Sequence, residues 1–292
     1  MRITAFTIFN GLTRSLNENL KILGKLSGRL SSGKKLSKPS DDVSSMGRSM
    51  DYKVTLNEIE QYRRNIAEVE SHISIADSTM SSVTNSLIRA RELAVQASSS
   101  TQSATSRAAI AEEIENLRDE MLNLANTKFR NRYIFSGFQT DTAAFDSGFN
   151  YQGDAGQISV KIDRNATMDL NIVGSATFSV NGATFMEHLD DFYSALMAND
   201  ESAIQDAITN VDNALDHTAN VRADLGSRLT YVDDLKLNLD NRDFTLKTLL
   251  SNVEDDDIAE TASEIAKTEL ALESLRQSGS RILQQSLLDF LR

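Results

Sequence analysis

From residue 59 to residue 97 the apolar positions are Ile59, Tyr62, Ile66, Val69, Ile73, Ala76, Met80, Val83, Leu87, Ala90, Ala94 and Ala97, alternating steps of three and four without a slip. This is a heptad stripe, and only an α-helix keeps residues at that spacing on one face. At about 1.5 Å per residue the stripe is about 58 Å long, more than an ordinary globular helix needs and natural for a coiled coil. The small residues Ala90, Ala94 and Ala97 at its end imply close approach of a neighbouring helix there.

The polar stretch "SSSTQS" (98–103) breaks this rod, and Ile110, Ile114, Leu117, Met121 and Leu124 resume the pattern after it. So short a connection makes the two helices antiparallel neighbours. A third stripe runs through Ile204, Ile208, Val211 and Leu215, then Leu225, Leu229, Val232, Leu239, Leu246 and Leu250. Three such rods can close one core. Composition agrees: of 292 residues 40% are hydrophobic, only 6% are aromatic, proline occurs once, and tryptophan and cysteine are absent. That palette favours long thin helices over a compact globule, and the length suits about two domains.

Residues 131–184 differ, with glycine at 137, 148, 153, 156, 174 and 182 and alternating segments such as "QISVKID" and "TMDLNIV". They read as short strands and turns inserted between helices that belong together. The expected fold is therefore mainly α, with long antiparallel helical rods in a coiled-coil-like bundle carrying a small β-rich insertion lobe. Three parts are expected: 1–40 with 253–292 as a terminal coiled coil, 41–130 with 185–252 as the rods, and 131–184 as the lobe.

Both chain ends are amphipathic. Leu12, Leu16, Leu20, Leu23, Leu26 and Leu30 form one stripe, and Ile265, Leu272, Leu275, Ile282 and Leu287 form the other. Neither has a local element to cover it. The net charge is −12, yet residues 1–40 hold eight Lys or Arg and one acid, whereas 253–292 hold nine acids and four bases. Opposite charge and matching stripes make pairing of the ends the economical expectation. A two-helix pair buries too little to be stable alone, so neighbours from other subunits are expected to complete it. These residues are the candidate assembly interface.

The stretch "GRLSSGKKLSKPSDD" (28–42) nearly spells a phosphate-binding loop, with Gly28, Gly33 and Lys34 at the required spacing. A phosphate loop needs a strand before it, a helix after it and Ser or Thr next to the lysine. Here a helical stripe precedes it, Lys35 holds the Ser/Thr position and Pro39 interrupts the segment where the helix should run. The reading adopted is a helix capped at Gly33, a connector containing Pro39, and Ser40, Asp41 and Asp42 supplying the cap and first turn of the next helix.

His72, His188 and His217 have no partners at metal-ligand spacing and read as solvated or half-buried helix positions. The acidic run Glu254 to Asp257 lacks the glycine turn of a calcium loop and reads as a solvated helix start. No catalytic constellation, cofactor or metal is expected. The basic N-terminal face has no interleaved aromatics, so nucleic acid is not an expected partner, and the acidic C-terminus accounts for that face better than a membrane does. No stretch approaches the ~20 apolar residues of a membrane span. With no secretory-type leader legible, export, if it occurs, is expected to use another route.

The stretches "RLSSGKKLSKPSDD", "ISIADSTMSSVTNSLIRARELAVQASS" and "SRILQQSLLDFLR" resemble the terminal regions of the bacterial flagellin superfamily, over about 1–135 and 200–292. Within it, "MRITAFTIFN", "LANTKFRNRYIFSGFQTDTAAF", "YQGDAGQ" and "LLDFLR" are similar to the branch that joins hook to filament. Filament subunits usually carry an Asn-Gly turn and paired leucines where this chain has Asn131 to Phe135, and Val43 stands where a second proline is common. The resemblance implies a structural role in the extracellular flagellum and uncleaved export through the flagellar type III apparatus. It also implies a ring of copies of the chain, and as partners a hook-side hook-associated protein, flagellin and a flagellar export chaperone. It further implies terminal helices that fold on assembly to line an inner tube, with 31–54 as connector. A small filament flagellin is the alternative, and a secreted membrane-active helical protein is a third reading.

Overall fold

All twelve positions of the 59–97 heptad are buried, Ile59, Ile66, Val69, Met80 and Val83 completely. They belong to one helix in a computed structural model that describes residues 5–99 and 102–290, with side chains for 7–99 and 102–281. The helices are α1 (Ala5–Ser32), α2 (Val43–Ala97), α3 (Ala104–Ala125), the short α4 (Gly174–Thr177), α5 (Phe185–Ala198), α6 (Glu201–Glu254) and α7 (Ile258–Phe290). Three antiparallel strand pairs interrupt them: β1 (Lys128–Phe129) with β2 (Arg132–Tyr133), β3 (Ser159–Asp163) with β4 (Ala166–Asp169), and β5 (Ser179–Val180) with β6 (Ala183–Thr184). The expected mainly helical fold with a small β-containing insertion is what forms.

The chain divides into two compact units, Ile59–Asn241 and Met1–Glu58 with Arg242–Arg292. In the first, α2 and α6 run antiparallel, as cross-helix ion pairs show: Arg63–Asp240 (2.5 Å), Glu70–Lys236, Asp77–Arg222 (3.1 Å) and Arg91–Asp212 (2.5 Å). Such exposed pairs contribute little energy but mark register. Helix α3 returns along α2 through Arg89–Glu113 (2.7 Å). Its start is capped by the Ser103 hydroxyl, which accepts from the Ser106 N–H.

Helix α5, which the heptad reading does not pick out, packs on α3, with Arg118 of α3 paired to Asp190 at 2.6 Å. Its Thr184–Glu187 capping box satisfies the first orphan N–H groups. Arg107 is almost fully buried and ties helix ends together. Its guanidinium donates to the Ala97 carbonyl (3.1 Å), Asn199 Oδ1 (2.5 Å) and Glu201 Oε1 (3.2 Å).

The segment between α3 and α5 is organised by buried Phe135, Phe145, Phe178 and Phe185. Phe178 meets Phe135 edge-on at 5.0 Å and Phe145 at 5.8 Å, the preferred aromatic geometry. The Tyr151 hydroxyl donates to the Phe135 and Asp154 carbonyls, and burial pushes its pKa up to about 12. With only 6% aromatic residues, the chain concentrates its rings where helical stripes are unavailable.

The histidines are structural in these surroundings. His72 meets the Phe129 ring edge-on at 4.9 Å, and burial lowers its pKa. His188 is buried, deeper than expected, because its Nε2 lies 3.1 Å from the Val180 carbonyl beneath the β5–β6 hairpin. His217 Nε2 lies 2.8 Å from the Ala176 carbonyl. Among the described residues no helix is long and apolar enough to cross a membrane.

Candidate functional site: the paired terminal helices and their connector

The second unit carries all the candidate residues. Helix α1 packs on α7, so the two amphipathic ends do meet. Leu26 and Leu272 are each only 5% exposed, whereas Leu12, Leu16, Leu23, Ile265 and Leu275 are half-buried and Leu20 and Leu30 remain 43% and 40% exposed. The side chains of Ile282 and Leu287 lie outside the described residues. Leu12 seats against Gly279, where an added Cβ would come within 2.7 Å of its Cδ2. Further along, an open groove of about 620 Å³ lies between Leu20 and Leu23 of α1 and Leu272 and Arg276 of α7. Glu269, Glu273, Gln277 and Ser280 also line it, so the groove is of mixed polarity, and the pair leaves part of the α1 leucine stripe uncovered.

Where α1 ends, Gly33 adopts a left-handed conformation (φ 67°) and its N–H donates to the Arg29 carbonyl at 2.7 Å, the cap expected there. The chain then pairs with the α6–α7 turn: Lys35 N–H donates to the Glu254 carbonyl (2.8 Å) and Asp256 N–H to the Gly33 carbonyl (3.0 Å). Asp42 caps α2, accepting from the Ser45 N–H at 3.1 Å and the Ser45 hydroxyl at 2.6 Å, which lowers its pKa.

Asp41 departs from the expected helix start. It turns back onto the connector, accepting from the Ser37 and Lys38 N–H groups, and pairs with Lys25 of α1 at 3.0 Å. The Lys25 contact, then those N–H bonds, lower its pKa to about 2. Pro39 lies in this turn, where its missing N–H costs nothing.

The acidic run is likewise not a solvated helix start throughout. Asp257 does cap α7, accepting from Ala259 and Glu260 N–H groups at 2.9 and 3.1 Å. Glu254, however, is 4% exposed at the end of α6, where Lys34 (2.9 Å), Lys53 and the Ser49 hydroxyl converge on its carboxylate. Burial opposes its ionisation, but the hydrogen bonds from Lys53, Ser49 and Lys34 outweigh it and bring the pKa to about 2. The same contact raises the pKa of Lys34.

This knot joins α1, α2, α6 and α7, and no local motif announces it. The opposite charge of the two chain ends was its one available signal. Helix pairing does not simply follow that charge, since Lys25 is taken by Asp41. The Gly33 and Lys35 N–H groups are spent on the Arg29 and Glu254 carbonyls, so the near-match to a phosphate loop is a capped helix end.

A family model described as the bacterial flagellin N-terminal helical region matches residues 5–140, and its C-terminal counterpart matches 208–291. The chain belongs to the bacterial flagellin family. It is 27% identical to the flagellar hook-associated protein 3 of Escherichia coli (strain K12), over 94% of each chain. It is 25% identical to a flagellin of Halalkalibacterium halodurans, over 94% of this chain and 91% of that one. A solved flagellar hook-associated protein from Vibrio parahaemolyticus shares the fold, with a TM-score of 0.69 at 18% identity, covering 74% of this chain and all of the other.

Proposed function

We propose that this chain is a structural adaptor that catalyses nothing and forms a ring of copies between the flagellar hook, reached through a hook-side hook-associated protein, and the flagellin filament. The full-length similarity to hook-associated protein 3 supports the junction position. The observation that carries the mechanism is the half-covered α1–α7 pair, whose leucines leave apolar surface for neighbouring copies. Assembly is coupled folding: ordering residues 1–40 and 253–292 costs conformational entropy, and burial of the stripes between copies offsets it. Those residues form the inner tube, 41–130 with 185–252 the outer rods, 131–184 a lobe, and Gly33, Pro39, Asp41 and Asp42 the connector. Before assembly an export chaperone holds the C-terminal helix, and the type III apparatus delivers the chain to the cell exterior.

Imaging a labelled copy on intact cells tests the reading. One spot at the cell-proximal end of each filament is expected, and cells lacking the chain keep hooks but release flagellin monomers into the medium. The similarity to a flagellin across most of the chain favours a second reading, a small filament subunit. A subunit repeats one head-to-tail contact without limit, whereas an adaptor presents different faces to its two neighbours. Label along whole filaments, or long homopolymers from purified protein, would establish that second reading instead.

A further inference from the structure

The β1–β2 hairpin is a basic point on an acidic chain. Its two-residue turn, Arg130 (φ 47°) and Asn131 (φ 65°), has the doubly positive φ of a tight hairpin, which sets Lys128 opposite Tyr133 and Phe129 opposite Arg132. Lys128 Nζ lies 4.4 Å from the Tyr133 ring centre and the Arg130 guanidinium 5.0 Å from that of Phe129, so both cations lie over aromatic faces. The acid facing them is Glu68 of α2, 3.9 Å from Arg130. All three basic side chains are exposed.

Beside the hairpin is a recess of about 260 Å³ whose lining includes His72, Phe129, Tyr133, Ile134, Ile158 and Leu170. Phe138 comes directly after Gly137 of that lining, 63% exposed and fixed by its N–H bond to Asp154 Oδ1 at 2.8 Å. An apolar recess rimmed by exposed cations held over aromatic faces and flanked by an exposed ring has the make-up of a protein-binding hot spot.

A complementary ridge stands elsewhere on the same chain. Helix α6 exposes Leu237 (63%) one turn after Asp233 and Asp234, and both acids face solvent. Asp233 has Lys236 at 4.0 Å, a contact too long to neutralise it. At a net charge of −12, copies of the chain repel on average, so a contact between them is steered to wherever the sign is locally reversed. The basic hairpin is such a place.

We infer that the recess is a subunit contact: Leu237 of a second copy enters it, while Asp233 and Asp234 of that copy meet Arg130 and Arg132. The two patches differ, so the contact is heterologous and propagates around a ring instead of closing a dimer. The inference rests on the ring reading and adds its lateral contact.

The absence of cysteine allows a direct test. Two single-cysteine variants, Arg132→Cys and Asp234→Cys, are co-expressed in cells lacking the native chain, and isolated flagella are treated with a short bismaleimide. A heterodimer of two 32.2 kDa chains is expected. Replacing Asp234→Cys by Asn116→Cys on α3 should lower the yield about tenfold or more. Arg130→Glu with Arg132→Glu should weaken ring incorporation about tenfold, and adding Asp233→Lys with Asp234→Lys should restore most of it.

The same cells are imaged for label position. Label at the junction without the 132–234 product overturns the contact and leaves the adaptor reading standing. The product formed along whole filaments supports the contact and overturns the adaptor reading.

Discussion

The rod unit and the terminal unit use the same amphipathic pattern and complete it to different degrees. In α2 every heptad residue from Ile59 to Ala97 is buried, because α3 and α6 flank the stripe on two sides. In α1 the six leucines have α7 beside them, and of those six only Leu26 is buried. A helix stripe spans more than about 100° of its circumference, and one partner helix cannot cover it. A hydrophobic period therefore reports that a face will be buried, and the count of neighbours decides whether the chain buries it alone.

The largest difference should appear on truncating equivalent residues. Ile66→Ala in the rod core should destabilise the isolated protein by about 3 kcal/mol, the cost of a cavity that cannot collapse. The same change at half-exposed Leu20 should cost less than about 1 kcal/mol. Urea titration followed by circular dichroism measures both. Equal losses would mean that α1 is already fully covered in the monomer.

A second contrast is pH. Glu254 has a pKa of about 2 in the fold against an ordinary 4.5, so it binds a proton less readily folded than unfolded. Its contribution is therefore complete above about pH 4.5 and is lost as pH falls towards 2. In assembled flagella, the amides of Lys35 in the connector and Asp256 in the α6–α7 turn should lose exchange protection across that window while those around Ile66 do not. Glu254→Gln should weaken the knot by about 2 kcal/mol, because Lys34 and Lys53 stay half exposed and can be rehydrated. It should also shrink the acid-dependent step to the part carried by Asp41, whose pKa is likewise about 2; a variant that keeps the whole step would take Glu254 out of it.

Gly33→Ala is a smaller perturbation of the same unit, about 1 kcal/mol, from placing a Cβ on a left-handed residue with open space around it. Thermal melting of the assembled protein should show it, and Gly33→Asn should recover part of the loss. The smallest effect on the monomer is the most informative for function. Leu20→Ala should leave the melting temperature within a few degrees, yet reduce incorporation into flagella. Normal incorporation would remove Leu20 from the assembly surface.

Much of this protein was legible in its sequence because periodicity is a local code. The period of 59–97 names the buried face of α2 residue by residue, Gly33 marks the end of α1, and Asp42 and Ser103 stand where helix starts need them. Absent cysteine and scarce aromatics exclude other ways of stabilising a long helix. What the tertiary structure alone decided are meetings between residues far apart in the chain. Glu254 looked like one surface acid among many until Ser49, Lys53 and Lys34, about two hundred positions away, converged on it. Asp41 could equally have begun a helix, but Lys25 drew it back. Helix α5 was hidden because its buried face is completed by α3 and the phenylalanine cluster and does not extend any heptad. Burial changes the meaning of a charge, and burial is set by which segments meet.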